Sequence, residues 1–301
     1  MMSVVIPTYG REAQAVRLLT QLIDQDFPKT HYEIILVDQT GYNSLQLQQL
    51  VASETVLVKH LKLPFPSIAR AWNVGIQTAS GDVVIFLDDD VCIDPSFIQS
   101  HYSIYSESSD VVGVAGQVLA KNAEPRSNKH WFSTLPQVGW CFFPLSYACQ
   151  ASIDVARGCN FSFLREVAVR VGGIDENYEK TAHCFEPEFC FRLKTAGKIL
   201  FDPRPRVVHE SHPSGGIRSV GMDERLMSDF EGAVYLMLKH ILICWWPLFL
   251  FSEFRRNFFK KDNDMNFNRF LKHLGVFFRS VGGAIKKIQH GPKYYFKLHH
   301  D

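Results

Sequence analysis

The sequence predicts an α/β protein with a mostly parallel central sheet. Within the first hundred of its 301 residues, short apolar runs alternate with longer segments whose apolar residues recur at helical spacing. Residues 3–9 form such an apolar run, and residues 12–25 follow with Val16, Leu19 and Leu22 on one helix face. Strands that alternate with helices form parallel sheets. Hydrophobic residues make up 46% of the chain and charged residues 21%, which is typical of a globular protein.

The remaining elements of the first third follow the same alternation. Strands are predicted over 32–39, 55–63 and 83–87, and helices over 44–54 and 67–79. Asp94 and Pro95 then predict a further helix, with Asp94 as its N-cap and proline at the first helical position.

The middle of the chain is less regular, and its end is helical and aromatic. A strand is predicted over 110–120, a strand running into a helix over 155–173, a helix over 186–197 and a short strand over 198–202. Residues 205–221 are rich in Gly, Pro and Ser, which predicts a mobile loop. Helices are predicted from Gly232 onward.

The run "VVIFLDDD" ends a predicted buried strand in three consecutive carboxylates, Asp88, Asp89 and Asp90. Three adjacent charges repel one another, but a divalent cation such as Mg²⁺ or Mn²⁺ would neutralise them. In an extended triplet the outer two side chains share a face, and Asp89 points to the other face or reaches a ligand through the turn. Asp38 also ends a strand, and ligands of such sheets lie beyond the carboxyl ends of the strands. A solvated acidic turn is the alternative reading of the triplet.

Five blocks in order carry a resemblance to the family 2 glycosyltransferases, and together they span roughly residues 3–220. They are "VVIPTYGR", "LVDQT", "IARAWNVGIQTASGDVVIFLDDD", "GCNFSFLREVAVRVGGIDENY" and "RLKTAGKILFDPRPRVVH". The resemblance implies a GT-A fold, in which a nucleotide-binding α/β domain is merged with an acceptor-binding subdomain. It also implies an inverting enzyme that uses Mn²⁺ or Mg²⁺ and a UDP-, GDP- or dTDP-sugar donor.

The resemblance assigns site residues by motif. The residues implied to bind the donor are Pro7, Thr8, Tyr9, Arg11, Asp38, Arg70, Asp88, Asp89 and Arg218. The implied metal ligands are Asp88, Asp90 and His209, with His212 as the weaker histidine candidate, although a lone histidine is more often an ordinary surface or core residue. Arg218 follows "SGG" in a segment that closes over the donor in the family, and taken alone this is an ordinary glycine turn.

The catalytic base is implied to lie four to six residues before Arg192, where the chain reads Phe185-Glu186-Pro187-Glu188. Glu186 takes the place of the family's catalytic aspartate and is the favoured base, with Glu188 as the alternative. The alternative is that these acids only stabilise the N-terminus of a helix through its macrodipole.

Three residues are assigned to the acceptor side. Asn160 is expected to shape the floor between donor and acceptor, with a purely structural role as the alternative. Trp131 and Trp140 are expected to stack on a sugar ring, although aromatic residues in such a chain are more often core.

The last 48 residues are the basic part of the chain. Residues 254–301 contain eleven Lys and Arg against three Asp and Glu, whereas the rest of the chain is acidic. Basic residues interleaved with phenylalanines are typical of a helix that lies on an anionic membrane surface. Packing against the catalytic domain with a solvated basic face is the alternative. The apolar run at 241–251 is too short to span a bilayer, and no nucleic-acid-binding motif accompanies the basic residues.

Cysteine usage and the N-terminus predict a cytoplasmic protein, with attachment to the inner face of the cytoplasmic membrane as a further expectation. The seven cysteines are odd in number and show no CxxC spacing, which argues against a disulfide framework and a zinc site. The N-terminus lacks the pattern of a secretory signal.

The predicted organisation is a donor-binding half over 1–100, an acceptor-binding half over 101–230 and a helical extension over 231–301. The predicted function is sugar transfer to a hydroxyl group of a glycan or lipid-linked acceptor in surface polysaccharide synthesis. The alternatives are a silent nucleotide-sugar-binding scaffold at a membrane assembly and a nucleotidyltransferase.

Overall fold

The computed structural model describes residues 1–52, 55–126, 145–210, 212, 214–258 and 267–297. Its strands are β1 (Met2–Thr8), β2 (Tyr32–Asp38), β3 (Leu57–Lys62), β4 (Val83–Leu87), β5 (Val91–Ile93), β6 (Val111–Ala120), β7 (Ala151–Ile153), β8 (Asn160–Leu164) and β9 (Lys198–His209). Its helices are α1 (Glu12–Ile23), α2 (Leu45–Val51), α3 (Ile68–Thr78), α4 (Phe97–Glu107), α5 (Arg165–Arg170), α6 (Phe185–Leu193), α7 (Met222–His240), α8 (Trp246–Phe258) and α9 (Phe267–His290). The α/β prediction is confirmed.

One sheet runs through the domain in the order β3-β2-β1-β4-β8-β6-β9-β5, and β7 pairs with β9. The first four strands are parallel, as the alternation of strands and helices predicts. Beyond β4 the sheet is mixed, because β8 runs antiparallel to both β4 and β6 while β9 runs parallel to β6. The sheet therefore joins the two predicted halves of the domain at the β4–β8 pair.

Two hydrophobic clusters cover the two faces of the sheet, because the side chains of its strands alternate between them. On one face Val5, Phe86 and Phe163 pack with α3, and the indole ring of Trp72 stacks on Phe86 with ring centroids 3.7 Å apart. On the other face Val4 and Ile85 belong to the cluster that includes α1. These buried strands hold their C-terminal ends, where the acids lie, in fixed positions.

The predicted start of the fourth helix is wrong. Helix α4 begins at Phe97 with Ser96 at the N-cap position, and Asp94 and Pro95 lie before it. The carboxylate of Asp94 instead accepts hydrogen bonds from Arg206 on β9, at 2.9 Å from Nη2. The sequence analysis also missed strand β5, whose three residues pair with the end of β9.

The C-terminal helices pack against the catalytic domain. Helix α7 begins at Met222, so the predicted boundary at residue 230 falls inside it. Beyond α9 the chain returns to the domain, where the amides of Tyr295 and Phe296 donate to the carbonyl of Gly172. Of the helices in the described ranges, none combines the length and the apolar character that crossing a bilayer requires.

Candidate active site

The acid triplet lies in the turn between β4 and β5, and its outer members face His209 at the end of β9. The register of β5 against β9 pairs Val91 with His209 and so places the imidazole beside the acids. His209 Nε2 lies 3.5 Å from Asp88 Oδ2 and 3.4 Å from Asp90 Oδ1. One ligand atom from each of the three residues lies within 4.8 Å of the other two. The Asp88 side chain is 42% exposed and that of Asp90 2%, so the cluster opens to solvent on the Asp88 side.

Asp89 contacts Thr8 and Arg11 rather than His209, although the triplet lies in a turn and not in the extended strand that the sequence analysis assumed. Its carboxylate accepts hydrogen bonds from Thr8 Oγ1 and from Arg11 Nη1, each at 2.7 Å. Burial raises the pKa of Asp89 to about 6, although Thr8 and Arg11 oppose the rise. Asp89 therefore ties the triplet to the end of β1.

Arg11 joins the acids to the segment 214–216. Its guanidinium contacts Asp89, lies 3.1 Å from Asp90 Oδ2, and donates to the carbonyls of Ser214 and Gly215. The amide of Gly216 in turn donates to the carbonyl of Tyr9 at 2.9 Å. Because the Arg11 side chain is only 7% exposed, its cation serves mainly as an internal counter-charge here.

The other residues predicted to bind the donor lie at the ends of β1, β2 and α3. Pro7 is buried within β1, beside Val37 of β2. Asp38 is buried at the end of β2, and its carboxylate accepts hydrogen bonds from the backbone amides of Thr40, Gly41 and Tyr42. Asp38 therefore organises the loop after β2 in this structure, and its contact with a nucleoside stays a prediction.

Arg70 lies in the first turn of α3, and its partners come from later in the chain. Nη1 lies 3.2 Å from Glu176 Oε1, and the guanidinium lies 4.6 Å from the centroid of the Tyr295 ring. Its predicted position near the donor is not tested by these contacts. The side chain of Arg218 and the residues Trp131 and Trp140 lie outside the described residues, so their predicted roles stay predictions.

Glu186 is half-buried in the first turn of α6. Its Oε1 lies 3.5 Å from the backbone nitrogen of Gly158, which donates to it. Burial raises the pKa of Glu186 to about 7, and the charge of Asp88 adds to the rise. A carboxyl group with a pKa near neutrality is suited to general base catalysis.

Glu188 lies two residues further on and has a different environment. It is fully buried, and its carboxylate pairs with Arg192 at 2.6 Å and with Lys239 of α7 at 2.5 Å. Although burial alone would raise its pKa, Arg192, His240 and Lys239 hold the pKa of Glu188 well below its usual range. Such a carboxylate is a weak base, and its contacts join α6 to α7.

The segment 157–159 connects the acids to Glu186, and the sequence analysis assigned neither Arg157 nor Cys159 to the site. Leu87 pairs with Asn160 in the antiparallel β4–β8 ladder, so the residues just before Asn160 lie opposite those just after Leu87. Arg157 is exposed, and its charge opposes the rise in the pKa of Glu186. Burial raises the pKa of the Cys159 thiol, and the charges of Asp88 and Glu186 add to the rise. Arg157 and Cys159 could not be assigned from sequence because their position depends on the antiparallel pairing of β8 with β4.

Asn160 is fully buried beneath this segment. Its Nδ2 donates to the carbonyls of Gln117 and Pro205, both at 3.0 Å, and its Oδ1 lies 3.0 Å from His101 Nε2. Burial lowers the pKa of His101 to about 4, so the neutral ring donates through Nε2. These contacts favour the structural alternative for Asn160, and a direct contact with the acceptor stays a prediction.

Two carboxylates and an imidazole are therefore held at one edge of the sheet, with a carboxyl group of raised pKa nearby. Carboxylates are preferred ligands of Mn²⁺ and Mg²⁺, and neutral imidazole is a common metal ligand in proteins, so the donor set fits the predicted divalent cation. Glu186, which accepts a hydrogen bond from the amide of Gly158, supplies a group that can take a proton.

Comparison with known proteins places the chain in a family. Residues 3–172 match the family described as Glycosyl transferase family 2. The chain belongs to this family, and it is a glycosyltransferase. This membership removes the nucleotidyltransferase alternative.

Two named relatives align with different shares of the chain. The chain is 24% identical to a glucosyl-dolichyl phosphate glucuronosyltransferase of Haloferax volcanii over 229 residues, which cover 69% of this chain and 68% of the relative. It is 33% identical to the poly(ribitol-phosphate) β-N-acetylglucosaminyltransferase TarS of Staphylococcus aureus over 110 residues, which cover 34% of this chain and 19% of TarS.

Solved structures show the same fold. The structure of TarS 1–349 in complex with UDP-GlcNAc superposes with a TM-score of 0.63 at 17% identity, over 93% of this chain and 81% of that one. A mannosyltransferase from Pyrobaculum calidifontis in complex with GDP-Man and Mn²⁺ gives a TM-score of 0.57 at 13% identity, over 96% and 75% of the two chains. The predicted GT-A fold is confirmed.

Proposed function

We propose that this glycosyltransferase is a metal-dependent, inverting enzyme that moves a sugar from a nucleotide-sugar donor to a hydroxyl group of a glycan or lipid-linked acceptor. The observation that carries the proposal is that Glu186, whose pKa burial raises to about 7, lies close enough to Asp88 of the Asp88, Asp90 and His209 cluster for the charge of Asp88 to add to the rise. The complexes of structural relatives with UDP-GlcNAc and with GDP-Man and Mn²⁺ support the choice of donor and cation.

In the proposed reaction Glu186 takes the proton of the acceptor hydroxyl group. The acceptor oxygen then forms a bond to the anomeric carbon as the bond from that carbon to the diphosphate oxygen breaks, and the diphosphate leaves with the electron pair. A single displacement of this kind inverts the anomeric configuration. Asp88, Asp90 and His209 would hold the divalent cation, which when bound supplies positive charge for the departing diphosphate.

The surroundings of the two carboxyl groups support the proposal of Glu186 rather than Glu188 as the base. A base must be deprotonated and accessible, and its proton affinity should be matched to the working pH. Glu186 is partly exposed, whereas Glu188 is fully buried and bound by Arg192 and Lys239. Arg218 and the other predicted donor-binding residues would contact the nucleotide-sugar. Trp131 and Trp140 would lie on the acceptor side.

We further propose a lipid-linked acceptor, cytoplasmic action at the inner membrane face and a role in surface polysaccharide synthesis. The name of the Haloferax relative includes a glucosyl-dolichyl phosphate, which is a lipid-linked sugar. Residues 1–100 would bind the donor, residues 101–230 the acceptor, and the basic helical region over 231–301 the membrane surface.

The test begins with the donor. A thermal-shift panel of UDP-, GDP- and dTDP-sugars, with and without Mn²⁺, identifies the ligand that raises the melting temperature, because binding to the folded state alone stabilises it. Donor turnover and the configuration of the product are then measured for the wild type, for Glu186→Gln and for the control Glu166→Gln. Glu166 is an exposed residue of α5. Equal turnover by Glu186→Gln and wild type would remove Glu186 as the base, and retention of configuration would rule out single displacement.

A further inference from the structure

Helix α9 has two faces with different surroundings. One face packs against α7 through the buried residues His273, Val276, Ser280 and Ala284. Ser280 Oγ donates to the carbonyl of Met227 at 3.0 Å, and Lys287 pairs with Glu231 of α7. These contacts fix the rotation of α9, so the opposite face points to solvent.

The solvent face carries three large apolar side chains at seven-residue intervals, and a cation immediately follows each of them. The apolar residues are Leu271, Phe278 and Ile285, which are 48%, 65% and 43% exposed, and the cations are Lys272, Arg279 and Lys286. Seven residues make almost two helical turns. The two sets therefore form an apolar line and a basic line that run side by side along α9.

The charge of α9 has one sign only. Its sequence contains five Lys and Arg and no Asp or Glu. Lys272 pairs with Asp223 of α7 at 2.7 Å, but both side chains are more than half exposed, and such pairs contribute little. The face is thus basic as well as apolar.

Helix α8 and the turn before it add further exposed apolar side chains. They are Leu242, Ile243, Trp245, Leu248 and Phe251. The two helices touch through Phe254 and Phe277, whose rings are 5.5 Å apart and edge to face. Exposed apolar side chains on this scale mark a binding surface more often than an ordinary protein surface.

We infer that the apolar and basic lines of α9 form a membrane-docking face that takes anionic phospholipid headgroups. Leu271, Phe278 and Ile285 would enter the boundary between headgroups and acyl chains, and the adjacent cations would contact the phosphates. The charge favours this partner over a second copy of the chain, because two copies of α9 would bring like charges together. This inference rests on the proposed lipid-linked acceptor, since it explains how the enzyme would reach one.

The test is co-sedimentation of the purified protein with vesicles of phosphatidylcholine alone and of phosphatidylcholine mixed with phosphatidylglycerol. Wild type is expected to bind the mixed vesicles at low salt and to be released as salt rises. The double variant Arg279→Gln/Lys286→Gln should bind about 25-fold more weakly, at roughly fivefold for each cation. The double variant Phe278→Ser/Ile285→Ser should lose at least about tenfold, because both apolar side chains would no longer be buried.

Matched controls lie on other surfaces of the domain. Leu57→Ser removes an apolar side chain that is 56% exposed on β3, and Lys198→Gln removes an exposed cation on β9. Both control variants should bind vesicles as the wild type does. Equal losses in the controls and in the α9 variants would overturn the assignment of this face.

Two further results would also overturn the inference. One is absence of wild-type binding to mixed vesicles at low salt, and the other is a dimer in solution that Phe278→Ser/Ile285→Ser dissociates. Donor hydrolysis in the absence of lipid is measured for every variant and should stay at the wild-type rate. Loss of vesicle binding at an unchanged hydrolysis rate would concern the docking face alone. A wild type that neither binds a nucleotide-sugar in the thermal-shift panel nor turns one over would contradict the proposed function itself.

Discussion

Glu186 and Glu188 lie two residues apart on α6, yet their carboxyl groups have opposite electrostatic surroundings. Burial and the charge of Asp88 raise the pKa of Glu186 to about 7. The pKa of Glu188 is held well below its usual range because, although burial opposes ionisation, Arg192, His240 and Lys239 outweigh it. Of the two glutamates in the first turn of α6, Glu186 is therefore suited to proton transfer, whereas Glu188 links α6 to α7.

The pH dependence of turnover should report Glu186. Since a base must be deprotonated before it can accept a proton, the rate constant should rise as pH increases through about 7 and then level off. Glu186→Gln should lower the rate by about 10²–10⁴-fold and remove this rise. Initial rates at saturating donor, measured across the pH range, check both outcomes, and Glu166→Gln is the control. A wild-type profile without a rise near neutrality would contradict the assignment.

The same variant should change stability in the opposite direction to activity. The folded carboxyl group keeps its proton to about pH 7, whereas the ordinary value is 4.5, so the folded state binds more protons between these values. Stability contributed by this group therefore falls as pH rises across that interval. Above pH 7, the free energy of unfolding of Glu186→Gln should therefore be about 1–3 kcal/mol higher than that of the wild type, so the variant is the more stable protein. Urea denaturation followed by tryptophan fluorescence measures the difference.

Glu188→Gln should destabilise the protein rather than act on the chemistry alone. Removing the carboxylate would leave Arg192 and Lys239 with a buried positive charge that lacks its main partner. Breaking a buried ion pair in this way costs about 3–5 kcal/mol, and thermal unfolding measures it. Exposed Glu166→Gln should change stability by less than about 0.5 kcal/mol. A melting temperature for Glu188→Gln equal to that of wild type would show that the pairs contribute nothing.

Local periodicity predicts most of the first half of the fold from sequence, because its buried strands are mainly apolar and its longer helices have an apolar face. The exceptions are Glu33 within buried β2 and the polar strand β3. The acids at the end of β4 could be found in this way, since strand direction alone places them at one edge of the sheet. Strand β5 is too short for a periodic pattern, and Asp94 was misread as a helix cap because its partner Arg206 lies 112 residues away.

The roles of individual site residues depended on long-range contacts that no local pattern encodes. Glu188 could not be separated from Glu186 by sequence, because Lys239 is 51 residues away from it. Arg11 was assigned to the donor by motif, and its contact with Ser214 spans 203 residues. Arg157 was missed because its place depends on the antiparallel pairing of β8 with β4.

Removing the proposed metal ligands should weaken binding of Mn²⁺. Mn²⁺ should raise the melting temperature of the wild type, and a chelator should abolish turnover until Mn²⁺ is restored. His209→Ala should lower the affinity for Mn²⁺ by at least 10–100-fold, which is the loss typical of mutating a residue that only supports a metal ligand. His212→Ala is the matched control, because its backbone amide, which donates to Asp90, would be kept. Titration calorimetry with Mn²⁺ gives the affinities, and equal values for the two variants would remove His209 as a ligand.

Arg11→Gln should make the folded protein depend more strongly on the cation. The guanidinium is the buried counter-charge of Asp89 and Asp90 and also holds the carbonyls of Ser214 and Gly215. Without metal the variant should lose about 3–5 kcal/mol of stability. Mn²⁺ should then raise its melting temperature by more than that of wild type, because the ion replaces part of the lost charge. Equal Mn²⁺-induced shifts in the two proteins would show that Arg11 and the metal cluster are independent.

Asn160→Ala distinguishes a structural role from contact with the acceptor. The change leaves the carbonyls of Gln117 and Pro205 and the Nε2–H of His101 without their amide partner in a buried site. Because each unsatisfied buried group costs about 1–3 kcal/mol and the site relaxes in part, we expect a loss of roughly 2–4 kcal/mol. Chemical denaturation measures this loss, and exposed Asn43→Ala should show almost none. An unchanged stability together with a raised KM for the acceptor would instead favour direct contact, because only a residue that touches the acceptor changes its binding without loosening the fold.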